Sequence, residues 1–279
     1  MTRRPGLCPA AAGRYNRGVA TSAIESLGRR TLAGVEHFGD FCRFTGRAGA
    51  WTLRAGLARR TLPALISQFF QIGTRSIPVV MITGAFVGAV LAVQSVEQFK
   101  GIGMLDRMGT VVNLSVLREL GPVLAAVILA GRVGGGLTAE LGTMRVTEQI
   151  DALRAMGTDP IRVLVVPRVL ACVLLIPMLV VYASFMGILG GYAISVYVYG
   201  VSPGMFWSRA ARAVEYFDIV YGPIKSLFFG LAIALISCFK GFRCRPGAAG
   251  VGRACTESFV ASCMAIIVLD FFLGVVLNG

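Results

Sequence analysis

The chain has 279 residues, of which 56% are hydrophobic and 15% are charged, and its mean hydropathy is +0.74. These values exclude an ordinary soluble domain and indicate an integral membrane protein. The net charge of +13 is explained by membrane topology and by anionic lipid headgroups, so nucleic acid is not an expected partner. With one histidine and no C-x-x-C pair among seven cysteines, the sequence indicates neither a metal site nor a disulfide framework.

The N-terminal region is basic. Residues 1–21 carry arginines and no acid, which predicts a disordered tail, although a transit peptide or an over-extended start codon would read similarly. In residues 22–62, apolar side chains such as Val35 and Phe38 recur at helical spacing among arginines such as Arg43. This pattern predicts an amphipathic helix in the membrane interface, with a packed cytoplasmic helix as the alternative.

Five later segments have the apolar length of about 20 residues that a membrane-spanning helix needs. The predicted spans are 77–96, 111–130, 169–199, 219–239 and 259–277. The third span is ambiguous, because the sequence GILGG at 187–191 would also suit a turn between two short spans. Five spans place the arginine-bearing segments 142–168 and 240–253 on the same side as the basic N-terminus. The positive-inside rule then predicts an all-α membrane protein of five spans, with its N-terminus in the cytoplasm and its C-terminus outside.

Four ionisable residues lie inside the predicted spans: Arg118, Glu119, Lys225 and Asp270. A charge at the centre of a membrane helix costs about 2.5–3.5 kcal/mol on insertion scales, so each of them needs a partner or a watery cavity. Mutual neutralisation between helices would explain the pattern. A polar patch that receives a charged headgroup would explain it equally well.

The segment GTMRVTEQIDALRAMGTDP, residues 142–160, interrupts the apolar spans with charge. Val146, Ile150 and Leu153 form an apolar stripe at helical spacing, and Gly157 and the following Asp-Pro pair end the pattern. The spacing predicts a helix over about residues 143–157, which without further information could be a solvated loop helix.

Several enzyme classes are excluded. The chain contains no Gly-Lys dipeptide and therefore no phosphate-binding G-x-x-x-x-G-K-[ST] loop for ATP. One histidine and few acids do not assemble into a catalytic set. We therefore expect a protein that is not an enzyme and carries no cofactor of its own.

The sequence LRELGPVLAAVILAGRVGGGLTAELGTMRVTEQIDALRAMGTDPIRVLVVPRVLA, residues 117–171, contains several short motifs in a specific order. LRELGPV, AGR, LTAELG, MR-TEQ, DP and PR resemble, in order and spacing, the signature region of the MlaE/YrbE permease family, the membrane subunits of MCE-type lipid ABC transporters. Weaker similarity extends over about residues 22–279, and residues 63–279 are predicted to form the permease domain.

The resemblance implies a homodimeric permease core that moves phospholipid or a related lipid between the inner membrane and a periplasmic MCE carrier, for outer-membrane lipid transport or asymmetry. The partners it implies are a cytoplasmic ABC ATPase dimer similar to MlaF, an MCE-domain protein similar to MlaD, and often a small STAS-like subunit similar to MlaB. ATP and magnesium would be used by the ATPase chain. The implied location is the bacterial inner membrane, with the plastid inner envelope as an alternative.

The resemblance also suggests roles for individual residues. We expect a lipid cavity whose headgroup and acyl-chain contacts are Leu91, Leu117, Arg118, Glu119, Leu120 and Lys225, while Asp270 is a structural charge. The segment 143–157 is expected to be a coupling helix that docks on the ATPase through Arg145, Glu148, Gln149, Asp151 and Arg154. Two other functions stay open: an ion-coupled secondary transporter that uses the intramembrane charges as a relay, and a membrane scaffold that does not transport.

Overall fold

The structure is a computed structural model, and it describes residues 32, 34–36, 38–52, 54, 62–100 and 108–278. The chain divides into two compact units, residues 1–47 and 48–279. The predicted tail, residues 1–21, and the first part of the predicted interfacial helix lie outside the described residues.

In the first unit, the described residues 34–36 and 38–47 are helical. Leu32, Val35 and Phe38 are each about two-thirds exposed or more, and Arg43 pairs loosely with Asp40 at 3.9 Å. The prediction of a helix here is confirmed for the described part. Its placement in the membrane interface stays a prediction, which the exposed apolar side chains favour.

The described residues of the second unit form five helical spans long and apolar enough to cross a membrane: Leu65–Phe99, Gly109–Val146, Ile161–Val198, Tyr216–Phe242 and Ala248–Leu277. Their α-helical segments are Leu62–Phe69 and Arg75–Lys100, then Met108–Ser115, Gly121–Leu129 and Gly135–Val146, then Val166–Ala193, Tyr216–Phe242 and Ala248–Asn278. Five-residue π-helical turns interrupt the first two spans at Phe70–Thr74, Val116–Leu120 and Ala130–Gly134, and they form the two ends of the third span at Ile161–Val165 and Ile194–Val198. Two short helices, Gln149–Ala155 and Pro203–Ala213, lie between spans.

The predicted number of spans is confirmed. The third span is continuous, because the sequence at 187–191 lies within the helix Val166–Ala193 instead of forming a turn. Every span extends beyond its predicted apolar run at one end or both, most at the end of the second span, which lies at Val146 instead of residue 130. This difference of 16 residues is about four helical turns. Backbone groups in hydrocarbon must be paired within the helix, so the helices continue through their polar ends until the chain reaches water.

The third span is the centre of the bundle. It packs against the first and fourth spans, and the fourth span also contacts the second and the fifth. In its most apolar stretch 61% of the third span is buried, against 22% of the first and 11% of the fifth. The first and fifth spans therefore present broad apolar faces, which suit lipid or a second protein subunit.

Glycine allows the first and third spans to touch through their backbones. A Cβ atom at Gly84 or Gly88 would overlap the backbone of Ala183 or Gly187, and one at Gly190 would overlap Ala85. Close approach of this kind is the use of small residues in membrane helix packing. By contrast, a Cβ at Gly135 would meet no atom of the described residues within 4 Å.

The connection between the second and third spans differs from the single helix predicted for about residues 143–157. The second span ends at Val146, and a new helix runs over Gln149–Ala155. Glu148 has φ 58°, in the left-handed region, and its N–H bonds to Arg145 O at 3.2 Å, which closes a turn. The turn buries Ile150 completely while Val146 stays 36% exposed. The two residues therefore do not share the apolar stripe that the sequence suggested.

Candidate functional site

Three spans meet at a buried lysine. Lys225 of the fourth span is fully buried, and its Nζ donates to Glu119 Oε1 and Oε2 at 2.9 and 3.0 Å and to Asp270 Oδ1 at 2.8 Å. Its ammonium also lies 4.9 Å from the centre of the Tyr221 ring, in a cation–π contact. One cation thus joins the second and fifth spans to the fourth. The sequence marked Glu119, Lys225 and Asp270 separately, and the structure brings them together.

A second ion pair lies beside this triad. Arg118 Nε and Nη2 lie 2.6 and 2.5 Å from Asp218 Oδ1, and the Asp218 side chain is only 3% exposed. Asp218 also accepts the backbone N–H of Glu215 at 2.9 Å, so its carboxylate caps the start of the fourth span. Sequence analysis missed Asp218. The available signal was the acid at the third position of the helix, which is the position of a capping-box carboxylate.

We call Arg118, Glu119, Asp218, Lys225 and Asp270 the charge cluster. It carries two positive and three negative side chains, each within hydrogen-bond distance of an opposite charge. Mutual neutralisation, the first of the two interpretations from sequence, therefore describes its contacts. Such pairing lowers the cost of burying charge in a membrane protein.

Neutralisation alone does not account for the exposure of the cluster. The side chains of Arg118 and Glu119 are each 45% exposed, while Lys225 is 0% and Asp218 3% exposed. Glu119 stands ten residues from the start of the second span at Gly109, about 15 Å along the helix. A half-exposed carboxylate and guanidinium at this depth need water, a polar ligand or another subunit as neighbour, because hydrocarbon would leave them unsolvated.

An apolar cavity of about 360 Å³ adjoins the cluster. The second, third and fourth spans and the helix Pro203–Ala213 line it with Asn113, Leu117, Val181, Ser184, Phe185, Ile188, Trp207, Ala210, Ala211, Val214, Ile219 and Pro223. Two lining residues precede or follow a member of the charge cluster directly in the chain: Leu117 before Arg118, and Ile219 after Asp218. The cavity and the Arg118–Asp218 pair are therefore adjoining parts of one region.

The three leucines expected to contact lipid lie in three different places. Leu117 lines the apolar cavity. Leu120 faces a much smaller gap between the first, second and third spans, and Leu91 packs against the core of Ala92, Val96, Val112 and Val116. Both Leu117 and Leu120 lie in the π-helical turn Val116–Leu120, so they do not share a face as residues three apart in a regular α-helix would. Asn113, which sequence analysis did not select, is a polar residue of the cavity, and its buried Oδ1 has no partner among the described residues.

The charged connection between the second and third spans is held by ion pairs of its own. Asp151 pairs with Arg145 at 2.5 Å and with Arg154 at 3.1 Å, while Glu148 and Gln149 are exposed. Ile150 is buried beneath them. The segment therefore presents a fixed, polar outer surface on an apolar anchor.

The Asp-Pro pair of this connection has a structural role. Asp159 Oδ1 accepts the backbone N–H of Ile161 at 3.0 Å, and Oδ2 accepts Trp51 Nε1 at 2.9 Å. The guanidinium of Arg162 lies 5.0 Å from the centre of the Trp51 ring. Asp159 thus caps the start of the third span and ties residue 51 to it.

Comparison with known proteins adds information that covers most of the chain. The family model described as "Permease MlaE" matches residues 65–276. The chain is 40% identical over 248 residues to a probable ABC transporter permease protein of Rickettsia felis, covering 89% of this chain and 95% of the relative. It is 36% identical over 261 residues to the intermembrane phospholipid transport system permease protein MlaE of Haemophilus influenzae, covering 92% and 97%.

A plant relative extends the range of organisms. The chain is 39% identical over 208 residues to the chloroplastic protein TRIGALACTOSYLDIACYLGLYCEROL 1 of Arabidopsis thaliana. The match covers 75% of this chain and 59% of the plant protein. The relatives from Rickettsia felis and Haemophilus influenzae, in contrast, are matched over 95% and 97% of their own length.

Proposed function

Because the chain belongs to the MlaE permease family, we propose that it is the permease subunit of an ABC transporter that moves phospholipid between membranes. The observation that carries the proposal is the match over 92% of the chain to the phospholipid transport permease of Haemophilus influenzae. Five membrane-spanning helices support it. The absence of an ATP-binding loop from the sequence is consistent with hydrolysis in a separate ATPase chain.

The physics of lipid movement explains why a protein is needed. A two-chain lipid exposes about 30 methylenes when it enters water, at about 0.8 kcal/mol each, or about 25 kcal/mol in total. Spontaneous transfer through water is therefore negligible. A permease has to offer apolar surface to the chains and polar groups to the headgroup along one path.

The region around the charge cluster offers both. In the proposal, an acyl chain lies in the apolar cavity beside Leu117 and Trp207, and the headgroup lies at Arg118 and Glu119, whose side chains are half exposed. Asp218 and Lys225 hold these two side chains in place from the buried side. Leu91 and Leu120 would contact lipid only at surfaces outside this cavity, such as the interface with a second copy.

The connection 147–160 is the proposed contact with the ATPase. Glu148, Gln149 and Arg154 would dock on the motor from the cytoplasmic side, and Arg145 and Asp151 would keep the connection rigid through their 2.5 Å ion pair. A rigid, charged projection anchored by a buried apolar residue can transmit a displacement of the motor to the second and third spans.

The remaining assembly belongs to the same proposal. Two copies would associate through the apolar faces of the first and fifth spans, with the N-terminus in the cytoplasm and the C-terminus outside. An MCE-domain protein would exchange lipid with the permease on the outer side, and a STAS-like subunit would accompany the ATPase. The proposed location is the bacterial inner membrane, and the plant relative is the reason to keep the plastid envelope as a second location.

Purification from native membranes tests the proposal directly. Mass spectrometry of the purified full-length protein is expected to identify an ABC ATPase, an MCE-domain protein and bound phospholipid. Reconstituted into vesicles with these partners, the complex should transfer fluorescent phospholipid only when the ATPase is active. Transfer driven by a proton gradient without any ATPase would instead support a secondary transporter. Bound lipid that does not turn over during ATP hydrolysis would support a scaffold.

A further inference from the structure

A polar pocket, separate from the apolar cavity, lies beside the second half of the second span, whereas the charge cluster lies beside its first half. It has a volume of about 340 Å³ and is formed between the beginning of the first span and the end of the second. Its lining residues include Gln68, Arg75 and Ser76 of the first span and Arg132 and Gly136 of the second. We call this the basic pocket. Arg132 follows Glu119 by 13 residues on the second span, about 20 Å along the helix, so the two sites are separate.

The basic pocket has an excess of positive charge. Of the described residues that line it, Arg75 and Arg132 contribute two guanidinium groups and Glu140 contributes the one acid. Glu140 is already paired with Arg168 at 2.7 Å, and the Arg168 side chain is 5% exposed. Arg168, which is not among the lining residues, therefore balances the negative charge of Glu140. The guanidinium groups of Arg75 and Arg132 then favour an anion in the pocket.

The hydrogen-bonding groups of the pocket indicate a ligand that is more than a simple anion. Arg132 Nε donates to Ser76 Oγ at 3.2 Å, which orients the guanidinium. Gln68 is 9% exposed, and its buried Oε1 has no hydrogen-bond partner among the described residues. A buried acceptor without a partner costs free energy that a donor on a ligand would recover. The pocket thus combines two cationic donors with an acceptor, as a phosphate bearing a hydroxyl or ammonium substituent requires.

The backbone of both spans departs from a regular α-helix beside the pocket. The π-helical turns Phe70–Thr74 and Ala130–Gly134 lie in the two spans that form it, and such turns are frequent at functional sites. A Cβ atom at Gly136 would meet no atom of the described residues within 4 Å. No side chain in the part of the chain that the structure describes therefore fills the pocket at this glycine.

We propose that the basic pocket binds the phosphate group of a phospholipid headgroup, at a site distinct from the charge cluster. Arg75 and Arg132 bind the phosphate oxygens, and Gln68 accepts a hydrogen bond from the headgroup substituent. A lipid is favoured over a free phosphate ester because the pocket lies between two membrane spans. The inference concerns binding by the permease alone, so it can fail while the proposed transport function holds.

Native mass spectrometry of the full-length protein in detergent tests the proposal, with phosphatidylglycerol as the probe. The protein carries Arg118→Gln with Asp218→Asn, which removes this buried ion pair as a whole, and Glu119→Gln, so that the charge cluster does not contribute, and no ATPase is present. Gly136→Leu fills the pocket without removing a charge, and Gly135→Leu, on the neighbouring residue with equal space around it, is the matched control. Diacylglycerol, glycerol phosphate and inorganic phosphate are measured in parallel.

We expect Gly136→Leu to weaken phosphatidylglycerol binding at least tenfold and Gly135→Leu to leave it unchanged. Arg75→Gln should weaken it by about tenfold or more, since a hydrogen bond to a charged group contributes about 1.5–3 kcal/mol. Diacylglycerol, which lacks the phosphate, should bind weakly to all forms. Unchanged binding by Gly136→Leu, or equal binding of diacylglycerol, would overturn the proposal. Glycerol phosphate or inorganic phosphate that binds as tightly as the lipid, and loses this binding in Gly136→Leu, would also contradict it. That result would show that the pocket binds a free phosphate instead of a lipid and would overturn the proposal.

Discussion

Lys225 Nζ lies 2.9 Å from Glu119 Oε1, although the two residues are 106 positions apart in the chain. The lysine is fully buried and the carboxylate is 45% exposed. The cation therefore fixes a carboxylate at the surface of the bundle from behind, with Asp270 as its second partner at 2.8 Å. Lys225 is thus a positioning residue, whereas Glu119 is the residue proposed to contact the lipid headgroup. Substitutions at the two positions should therefore have different effects.

Lys225→Met is expected to destabilise the protein. It leaves Glu119 and Asp270 without their cation inside the bundle, and removing one partner of a buried ion pair costs roughly 3–5 kcal/mol. Lys240→Met is the matched control, because Lys240 pairs with Glu257 at 3.0 Å but is 33% exposed, and such pairs contribute at most about 1 kcal/mol. Thermal unfolding in detergent measures both. Equal effects of the two substitutions would mean that burial of Lys225 does not matter for stability.

Glu119→Gln should lower lipid transport while the protein still assembles. The amide oxygen can still accept from Lys225, so the bundle is retained, but the half-exposed negative charge is lost from the proposed headgroup site. Loss of one charge-assisted hydrogen bond corresponds to about a tenfold or larger decrease in transfer rate. Glu257→Gln is the control, because that carboxylate is 44% exposed on the fifth span but outside the site. Full transport by Glu119→Gln in the reconstituted complex would remove Glu119 from the site.

The effect of Arg118 on lipid transport can be separated from its effect on stability if Asp218 is changed at the same time. The single substitution Arg118→Ala leaves Asp218, 3% exposed, without its cation, so it combines a loss of function with a loss of stability. The double variant Arg118→Gln, Asp218→Asn removes both charges and should regain most of the stability, while lipid transport stays at least about tenfold reduced. Melting temperature and lipid transfer are measured on the same preparations. If transport recovers together with stability, Arg118 has only a structural role.

Charge reversal of the connection between the second and third spans should uncouple ATP hydrolysis from lipid movement. Glu148→Lys reverses a charge of the surface proposed to dock on the ATPase, and Asp151→Lys breaks the ion pairs with Arg145 and Arg154 that keep the connection rigid. Membrane insertion should be normal because neither residue lies within a span. Glu148→Gly is the control for backbone effects. Glu148 has φ 58°, so glycine should raise stability by roughly 1 kcal/mol while it removes the charge. Hydrolysis and transfer that stay coupled in the reversed variant would contradict ATPase docking at this surface.

Gly88→Ala is expected to disrupt the packing of the first span on the third. Its Cβ would overlap the backbone of Gly187, which cannot move as a flexible side chain can, so the cost should reach or exceed about 3 kcal/mol. Gly135→Ala, where the new Cβ meets nothing in the described part of the chain within 4 Å, should be neutral or stabilising by up to about 1 kcal/mol because alanine is the better helix former. Melting in detergent and the fraction of monodisperse protein report the difference. Similar behaviour of the two variants would show that the first and third spans are not in backbone contact.

Much of the architecture could be predicted from local sequence. Each span is a run of about 20 apolar residues, and in hydrocarbon such a run has only the helix as a way to pair its backbone groups. The sequence therefore predicted five helical spans at the correct places, although it placed their ends short. It also selected Glu119, Lys225 and Asp270, because a charge within an apolar run is visible without any knowledge of its neighbours.

The partners of these charges were decided only by the tertiary structure. Glu119 pairs with Lys225, and Arg118 with Asp218, because particular faces of the second and fourth spans pack together. The order of apolar residues within each span does not predict which faces these are. The same holds for the break at Glu148, where burial of Ile150 prevailed over a helical pattern that continued through it. The apolar cavity beside Leu117 and the basic pocket beside Gly136 are spaces between spans. Composition thus determined how many helices cross the membrane, and long-range packing determined which residues face each other across the spaces between them.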